Sequence, residues 1–148
     1  MTLAMHGLMR YTGTVEDECL LAHWWAQCRL AGELAGMVPT WAQALGPFLA
    51  FCRQAHLEMA CDDAGPWFVI WATPWNTGGV LGLWVRRDRR CTKAALRAWE
   101  AASARFLAAW PVLIVLTRRV RLARLYARLG VVFTPEPVPG LLEGEPAW

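Results

Sequence analysis

The spacing of apolar residues changes along the chain, and each change predicts a different element of secondary structure. Apolar residues recur every three or four positions, as in amphipathic helices, at 15–31, 39–52, 93–110 and 118–129. Continuously apolar or alternating segments, typical of strands, lie at 8–11, 56–61, 66–73, 80–85, 112–116 and 131–133. The predicted order is β, α, α, β, β, β, α, β, α, β, followed by a proline-rich tail at 134–148.

Local signals mark the ends of several predicted elements. Thr14 is followed by carboxylates, and Thr92 precedes the third helix, so both hydroxyls are predicted N-caps. The Gly46-Pro47 pair predicts a break or kink in the second helix. The polar turn at 62–65 predicts a hairpin. The apolar face of the third helix is predicted to contain Ala95, Leu96, Trp99, Ala102, Ser103, Phe106, Ala109 and Trp110.

The composition favours a single domain, 1–148, with a large core. Apolar residues make up 56% of the 148 residues and charged residues only 18%, and a chain of this length can bury a sizeable core. Ten tryptophans exceed what such a core needs, so we expect some to lie at a partner surface or to line a groove. The net charge of +3 is too small to favour nucleic acid as a partner.

Cysteine usage and hydropathy predict a cytoplasmic protein without a metal site. The five cysteines are scattered, odd in number and lack a CxxC pair, which is typical of buried free thiols in a reducing compartment. The N-terminus lacks the basic start and apolar run of a signal peptide. Apolar runs such as 112–116 are far shorter than the ~20 residues that span a bilayer, so no transmembrane segment is predicted.

Two segments carry a family resemblance. Residues 121–130 read RLARLYARLG, with a Leu-Tyr pair and a glycine four residues after the tyrosine, and an apolar strand follows. Residues 85–96 read VRRDRRCTKAAL and join a strand to a helix through an arginine-rich turn. Together with the order of elements, these segments resemble the GCN5-related N-acetyltransferases (GNAT superfamily) over essentially the whole chain. The resemblance implies an α/β (α+β) fold with a central mixed, twisted sheet flanked by about four helices.

In that family the arginine-rich turn corresponds to the loop that binds the pyrophosphate of acetyl-CoA. Unpaired N–H groups at a helix start and guanidinium forks both suit phosphate oxygens. Lys93 departs most from the family pattern, which usually has glycine there so that the backbone can approach closely. The alternative interpretation is a solvated basic turn or a patch that faces an acidic partner. The cofactor site that the resemblance implies consists of Val85, Arg89, Arg90, Cys91, Thr92, Lys93, Ala94 and Ala95.

The resemblance also implies residues for the chemistry. Tyr126 stands where the family keeps the tyrosine that protonates the leaving thiolate of coenzyme A, a general-acid role. Its alternative is a packed tyrosine with a solvated hydroxyl. His56 and Glu58 are the candidate general bases, because strand alternation places both on one face beside the central strands. For these two, the alternative is an ordinary position facing solvent.

Three functional hypotheses follow. The first is an acyl-CoA-dependent N-acyltransferase that transfers an acetyl group to a small-molecule or peptide amine. The second is a catalytically inactive GNAT-like module in a larger assembly such as a bacteriophage virion, with protein partners or a homo-oligomer formed through exposed tryptophans and the C-terminal tail. The third, a peripheral membrane binder, has the weakest support because no basic amphipathic interface helix is evident.

Overall fold

A seven-stranded mixed sheet is the centre of the part of the chain that the structure describes. The computed structural model describes residues 2–3, 7–75, 78–110, 113–116 and 132–134. The strands follow one another across the sheet in chain order, antiparallel from the first to the fifth, while the sixth is parallel to both of its neighbours. They are β1 (Thr2–Leu3), β2 (Met9–Arg10), β3 (His56–Asp62), β4 (Gly65–Trp75), β5 (Gly78–Val85), β6 (Leu113–Leu116) and β7 (Val132–Thr134).

Three α-helices accompany this sheet within the described residues: α1 (Val15–Leu30), α2 (Leu45–Gln54) and α3 (Lys93–Ala109). The predicted mixed α/β architecture is therefore confirmed. Thr134 belongs to β7 rather than to the tail that was predicted to begin there. The predicted fourth helix at 118–129 and the remainder of the tail at 135–148 lie outside the described residues.

The start of α1 follows from its sequence. The Thr14 hydroxyl accepts a hydrogen bond from the backbone N–H of Asp17 over 3.2 Å, and the Asp17 carboxylate accepts one from the N–H of Thr14 over 3.3 Å. This reciprocal capping box satisfies two N–H groups that no helical carbonyl can reach. It directs Leu21, Trp24 and Cys28 into the core. The predicted N-cap is confirmed.

The second predicted helix is broken, but ahead of the Gly46-Pro47 pair, so the predicted position of the break is wrong. Residues Thr40–Ala42 form a separate 3-10 turn, and α2 begins only at Leu45. Pro47 is then the third residue of the helix, where its missing N–H costs no intrahelical hydrogen bond. The predicted helix at 39–52 is therefore two elements.

The helices cover opposite faces of the sheet. Alternation along the strands sends one set of side chains toward α1 and α2 and the other toward α3. The α1–α2 side buries Leu57, Met59, Val69, Trp71 and Trp84 from the strands. The α3 side buries Phe68, Ile70, Leu81, Leu83 and Val85. Strands β3, β4 and β5 thus contribute to both cores, and β4 and β5 are the apolar central strands that the sequence predicted.

Tryptophans account for much of the core on the α1–α2 side. The Trp24 ring lies 5.2 Å from Phe48, 5.3 Å from Trp71 and 6.2 Å from Trp84, measured between ring centroids. Trp67 and Trp99 are buried on the other side. Trp41, by contrast, is 54% exposed. The expectation that some tryptophans meet a partner stays a prediction.

Two expectations about exposure are wrong. Leu96 and Ala109 were predicted to lie on the apolar face of α3 but are exposed. Leu96 is 47% exposed because the buried stripe runs through Ala95, Ala98 and Trp99 and leaves position 96 to one side. The cysteines were expected to be buried, yet Cys19 and Cys91 are exposed, while Cys28 and Cys52 are buried. Burial raises the pKa of the Cys28 and Cys52 thiols, which makes both poor nucleophiles at neutral pH.

Candidate functional site

Strands β5 and β6 begin side by side and then part. Their parallel pairing consists of Gly79 with Leu113 and Val80 with Ile114, whereas β6 continues alongside β7 as far as Leu116. In the described part of the chain, β5 therefore has no strand partner on this side from Leu81 onwards. Ligands in sheets with parallel strands bind at the carboxyl ends of those strands. The notch between β5 and β6 opens toward such an end.

The chain leaves β5 at this notch through residues 86–92, here called the arginine turn. Residues Arg87–Arg89 form a 3-10 turn, and Cys91 has a φ of 61°, in the left-handed region that favours glycine. The Thr92 hydroxyl donates to the carbonyl of Arg89 over 2.6 Å and accepts from the N–H of Ala95 over 3.2 Å. The arginine turn thus makes its sharp bend with a cysteine, and Thr92 is confirmed as the N-cap of α3.

The N-terminus of α3 offers donors at the notch. The N–H groups of Lys93 and Ala94 precede the first residue that can reach a helical carbonyl, so they have no acceptor inside the helix. The aligned peptide dipoles of a 17-residue helix place partial positive charge at this end. Such an end is suited to bind an anionic group. The predicted pyrophosphate site includes this helix N-terminus.

Arg86 is held by carboxylates. Its Nη1 donates to Asp62 Oδ1 over 2.8 Å and its Nη2 donates to Oδ2 of the same carboxylate, which makes a bidentate pair. Its Nε donates to Asp88 Oδ1 over 2.7 Å. These bonds, above all the pair with Asp62, raise the pKa of the Arg86 guanidinium further. In return, Arg86 and then Arg89 hold the pKa of Asp62 well below its usual range.

Arg89 and Arg90 are also engaged within the protein. Arg89 Nη2 donates to Asp62 Oδ2 over 2.7 Å, and its guanidinium lies 4.7 Å from the ring centroid of Trp67. Arg90 donates through Nη2 to Glu33 and through Nε to the carbonyl of Val85 over 2.8 Å. The two predicted cofactor arginines therefore already have acidic partners. The alternative of a merely solvated basic turn does not describe them.

Arg87 and Lys93 differ from these three arginines. Both side chains are exposed, and neither has an ion pair with any residue in the described ranges. Both are cations of the arginine turn and the first turn of α3 that an incoming anion can meet without breaking an ion pair within the described residues. Lys93 therefore places a positive charge at the position where glycine is usual in the family that the sequence resembles.

Glu58 is fully buried, so the alternative that it faces solvent is wrong. Arg105 on α3 donates to its carboxylate through Nε over 3.1 Å and through Nη2, and Arg10 Nη2 lies 3.9 Å away. Burial by itself would raise the pKa of Glu58, but His56, Arg105 and Arg10 outweigh it, so the pKa lies below its usual range. A carboxylate with a lowered pKa is a weak proton acceptor. The geometry favours an ion pair over a general base.

His56 lies on the same face as Glu58, as alternation predicted. Its Nε2 is 3.7 Å from Glu58 Oε2, and its ring meets that of Phe106 edge-on at 4.7 Å between centroids. His56 thus packs under α3, on β3 rather than on the strand that borders the notch. Sequence reasoning missed Arg105, which has the spacing of a helix-face residue but gave no local sign of a buried partner.

Three further features considered from the sequence are a catalytic tyrosine, a metal site and a membrane-spanning segment. Tyr126 lies outside the described residues. Across the described ranges, no three His, Cys, Asp or Glu residues form a group that could hold a metal ion. No helix in those ranges combines the length and apolar character needed to cross a membrane.

Comparisons with known proteins bear on the fold. No model of a known protein family matches the sequence, and no curated protein matches it. Among solved structures, an aminoglycoside antibiotic 6′-N-acetyltransferase from Acinetobacter haemolyticus is similar with a TM-score of 0.52 and 15% identity, covering 88% of this chain and 94% of its own. A ribosomal-protein-S5-alanine acetyltransferase from Vibrio fischeri is similar with a TM-score of 0.53 and 13% identity, covering 95% and 91%. The chain therefore has the fold of the GCN5-related N-acetyltransferases.

Proposed function

We propose that this protein is an acyl-CoA-dependent N-acyltransferase that transfers an acetyl group to an amine. The observation that carries the proposal is the position of the α3 N-terminus and the arginine turn at the end of β5, where β5 and β6 have parted. The fold is shared with two acetyltransferases, one that acts on an aminoglycoside and one named for an alanine of a ribosomal protein.

The residues at the notch fit the anionic part of acetyl-CoA. The N–H groups of Lys93 and Ala94 would hold phosphate oxygens, and the exposed Lys93 and Arg87 side chains would add opposite charge. Arg89 and Arg90 shape the turn through their carboxylate partners. When bound, acetyl-CoA supplies an acetyl group activated as a thioester.

The transfer requires a proton to reach the departing sulfur and another to leave the amine. We propose Tyr126 as the group that protonates the sulfur, on the family resemblance of residues 121–130. Glu58 is a poor proton acceptor because its charge is matched by Arg105. We therefore assign no side chain of the described residues to the amine proton.

Binding of acetyl-CoA, measured by calorimetry, tests the proposal. We expect Lys93→Gln and Arg87→Gln each to weaken binding about fivefold, since each removes one charge facing the phosphates. Arg53→Gln is the matched control: it removes the same charge from an exposed arginine of α2, paired with Glu18, and should leave affinity within about twofold. Wild-type protein that shows no binding at millimolar cofactor would overturn the enzyme proposal and favour a non-catalytic module.

The role of Tyr126 has its own test. Tyr126→Phe removes only the hydroxyl, so the affinity for acetyl-CoA should stay within about twofold of wild type, whereas turnover with an amine acceptor should fall at least about tenfold. The acceptor for this measurement comes from a screen of small amines and N-terminal peptides. Equal turnover in the variant would remove Tyr126 from the mechanism.

A further inference from the structure

The arginine turn is tied to two elements that are distant from it in sequence. Asp62, at the tip of the β3–β4 hairpin, accepts hydrogen bonds from Arg86 and Arg89. Glu33, in the segment that follows α1, accepts one from Arg90. The two carboxylates thus contact the beginning and the end of one short turn.

Several of the side chains in these ion pairs are largely shielded from solvent, which strengthens the attraction between their charges. The side chains of Arg86 and Arg90 are 17% and 20% exposed, and that of Glu33 is 10% exposed. Hydrogen bonds between ionised groups are stronger than neutral ones, and bidentate geometry adds direction to the attraction. The backbone reinforces them, because the N–H of Arg86 donates to the carbonyl of Trp67 over 2.8 Å.

The backbone supports the turn through the hydrogen bond from the N–H of Arg89 to the carbonyl of Arg86 over 2.9 Å, and side chains add to that support. The turn lacks glycine, it has a non-glycine residue with a positive φ at Cys91, and it leads directly into the donor N–H groups of Lys93 and Ala94. Residues with a positive φ persist when the surrounding structure holds them. A site whose donors are fixed before binding loses less conformational entropy when the ligand arrives.

We infer that Asp62 and Glu33 are positioning residues, a two-sided clasp that holds the arginine turn in the shape required to bind the phosphates of the cofactor. This inference rests on the proposed function, because it names residues that act on the same site through Arg86, Arg89 and Arg90. The carboxylates do not touch the cofactor. They hold the other three arginines of the turn in internal ion pairs. Arg87 and Lys93 remain available to the anion.

The sign of the effect separates this role from its opposite. If the carboxylates merely withheld arginines from the phosphates, removing a carboxylate would free a guanidinium and tighten binding. If they form a clasp, removing one loosens the turn and weakens binding, although the protein becomes more positive and the ligand is an anion. The clasp therefore predicts a change against the electrostatic trend.

The experiment measures the affinity of full-length variants for coenzyme A by calorimetry. We expect Asp62→Asn and Glu33→Gln each to raise Kd about tenfold. Asp63→Asn is the matched control for the first, since Asp63 is exposed in the same hairpin turn, and Glu100→Gln on the exposed side of α3 is the control for the second. Both controls alter the net charge equally and should keep Kd within about twofold.

Amide hydrogen exchange of the unliganded variants supplies the second readout. Exchange within residues 86–92 should rise in Asp62→Asn and Glu33→Gln, stay unchanged in β4 and β5, and return toward the wild-type rate when coenzyme A binds. If Asp62→Asn fails to fold, Glu33→Gln tests the clasp from the other element. Unchanged or tighter binding in both variants would overturn the clasp.

The outcomes also separate this inference from the proposed function. Wild-type protein that does not bind coenzyme A would overturn the proposed function, and with it the clasp as part of a cofactor site. Wild-type protein that binds, with variants that bind equally well, would leave the proposed function standing and overturn the clasp alone.

Discussion

Glu58 shows at the scale of one residue how a polar group can lie in the core of this protein. Its side chain is fully buried against α3, and a buried charge is tolerated only when it is paired and hydrogen-bonded. Arg105 supplies both requirements through two donor nitrogens. The pair therefore joins α3 to β3.

Removing the charge of Glu58 should destabilise the protein strongly. We expect Glu58→Gln to lower the free energy of unfolding by about 3 kcal/mol, because it leaves the Arg105 guanidinium partly buried without its counter-charge. Denaturant unfolding at neutral pH measures the change. Glu100→Gln, an exposed change on α3, should stay within about 0.5 kcal/mol. A loss as small as that of the control would show that the pair contributes little.

The same pair predicts a pH dependence. The pKa of Glu58 in the folded protein lies below its ordinary value of 4.5, so the unfolded state binds the proton more readily. The stabilisation is therefore fully present above about pH 4.5 and is lost as the pH falls through the lower, folded value. We expect the difference in unfolding free energy between wild type and Glu58→Gln to shrink below pH 4.5. A difference that stays constant down to pH 3 would contradict this.

Gly82 predicts an equally local effect of packing. A Cβ added to Gly82 would lie 2.1 Å from Cε2 of Trp71, inside the core, whereas one added to Gly46 in α2 would meet nothing within 4 Å. We expect Gly82→Ala to lower the unfolding free energy by about 2–3 kcal/mol through overpacking. Gly46→Ala, the matched control, should raise it by about 0.5 kcal/mol because alanine is the better helix former. Equal effects in the two variants would show that Trp71 moves aside freely.

Sequence reasoning succeeded for these residues only where the signal was local. Strand alternation correctly placed His56 and Glu58 on one face, because it depends on neighbours in the chain. It could not show that Arg105, 47 positions away, would come to lie over that face. The partners of the arginine turn, Asp62 and Glu33, were missed for the same reason. Pairs between distant charges depend on how whole elements pack.

At the scale of the element, α3 connects the sheet to the candidate site through its first turn. Thr92 caps the helix and also closes the arginine turn by donating to the carbonyl of Arg89. One hydroxyl therefore serves both structures. N-caps depend on the type of residue just before the helix, and so Thr14 and Thr92 could be identified without a structure.

The contribution of the Thr92 cap to the free energy of unfolding can be measured. We expect Thr92→Ala to lower the unfolding free energy by about 1 kcal/mol, because an N–H of the first turn of α3 loses its acceptor. Thr92→Ser keeps the hydroxyl and should stay within about 0.5 kcal/mol of wild type. Chemical denaturation followed by circular dichroism measures both variants. Equal losses in alanine and serine would assign the effect to the methyl group instead of the cap.

Local sequence patterns predicted the exact ends and faces of the helices less well than their existence. The Gly46-Pro47 pair indicated a break, but the helix starts at Leu45, before that pair. A proline in the first turn is compatible with a helix that begins just ahead of it. The apolar face of α3 was likewise predicted too wide, at Leu96 and Ala109, since exposure there depends on the extent of the sheet that α3 covers.

At the scale of the whole molecule, one sheet supports two cores. The core under α1 and α2 contains Trp24, Trp71 and Trp84, and the core under α3 contains Trp67 and Trp99. Both are built on β3, β4 and β5. Neither core can lose its strands without exposing the other, so the described part of the chain should unfold as one unit.

Tryptophan fluorescence can test this coupling. We expect Trp24→Phe and Trp99→Phe, each of which removes one tryptophan from a different core, to show a fluorescence transition that coincides with the same variant's transition by far-ultraviolet circular dichroism. Urea titration measures both signals on the same samples. A variant in which fluorescence changes at a clearly lower urea concentration than circular dichroism would show that one core opens alone.

The parting of β5 from β6 has a consequence for the order in which the protein folds. Hairpins such as β3–β4 and β4–β5 join strands that are neighbours in the chain. Gly79 and Val80, by contrast, pair with Leu113 and Ile114, which follow them in sequence only after the whole of α3. Contacts between distant residues form slowly because a long loop must close first. We therefore expect the antiparallel meander to nucleate folding and the parallel pairing to follow. The notch at the end of β5 would then be among the last features of the molecule to appear.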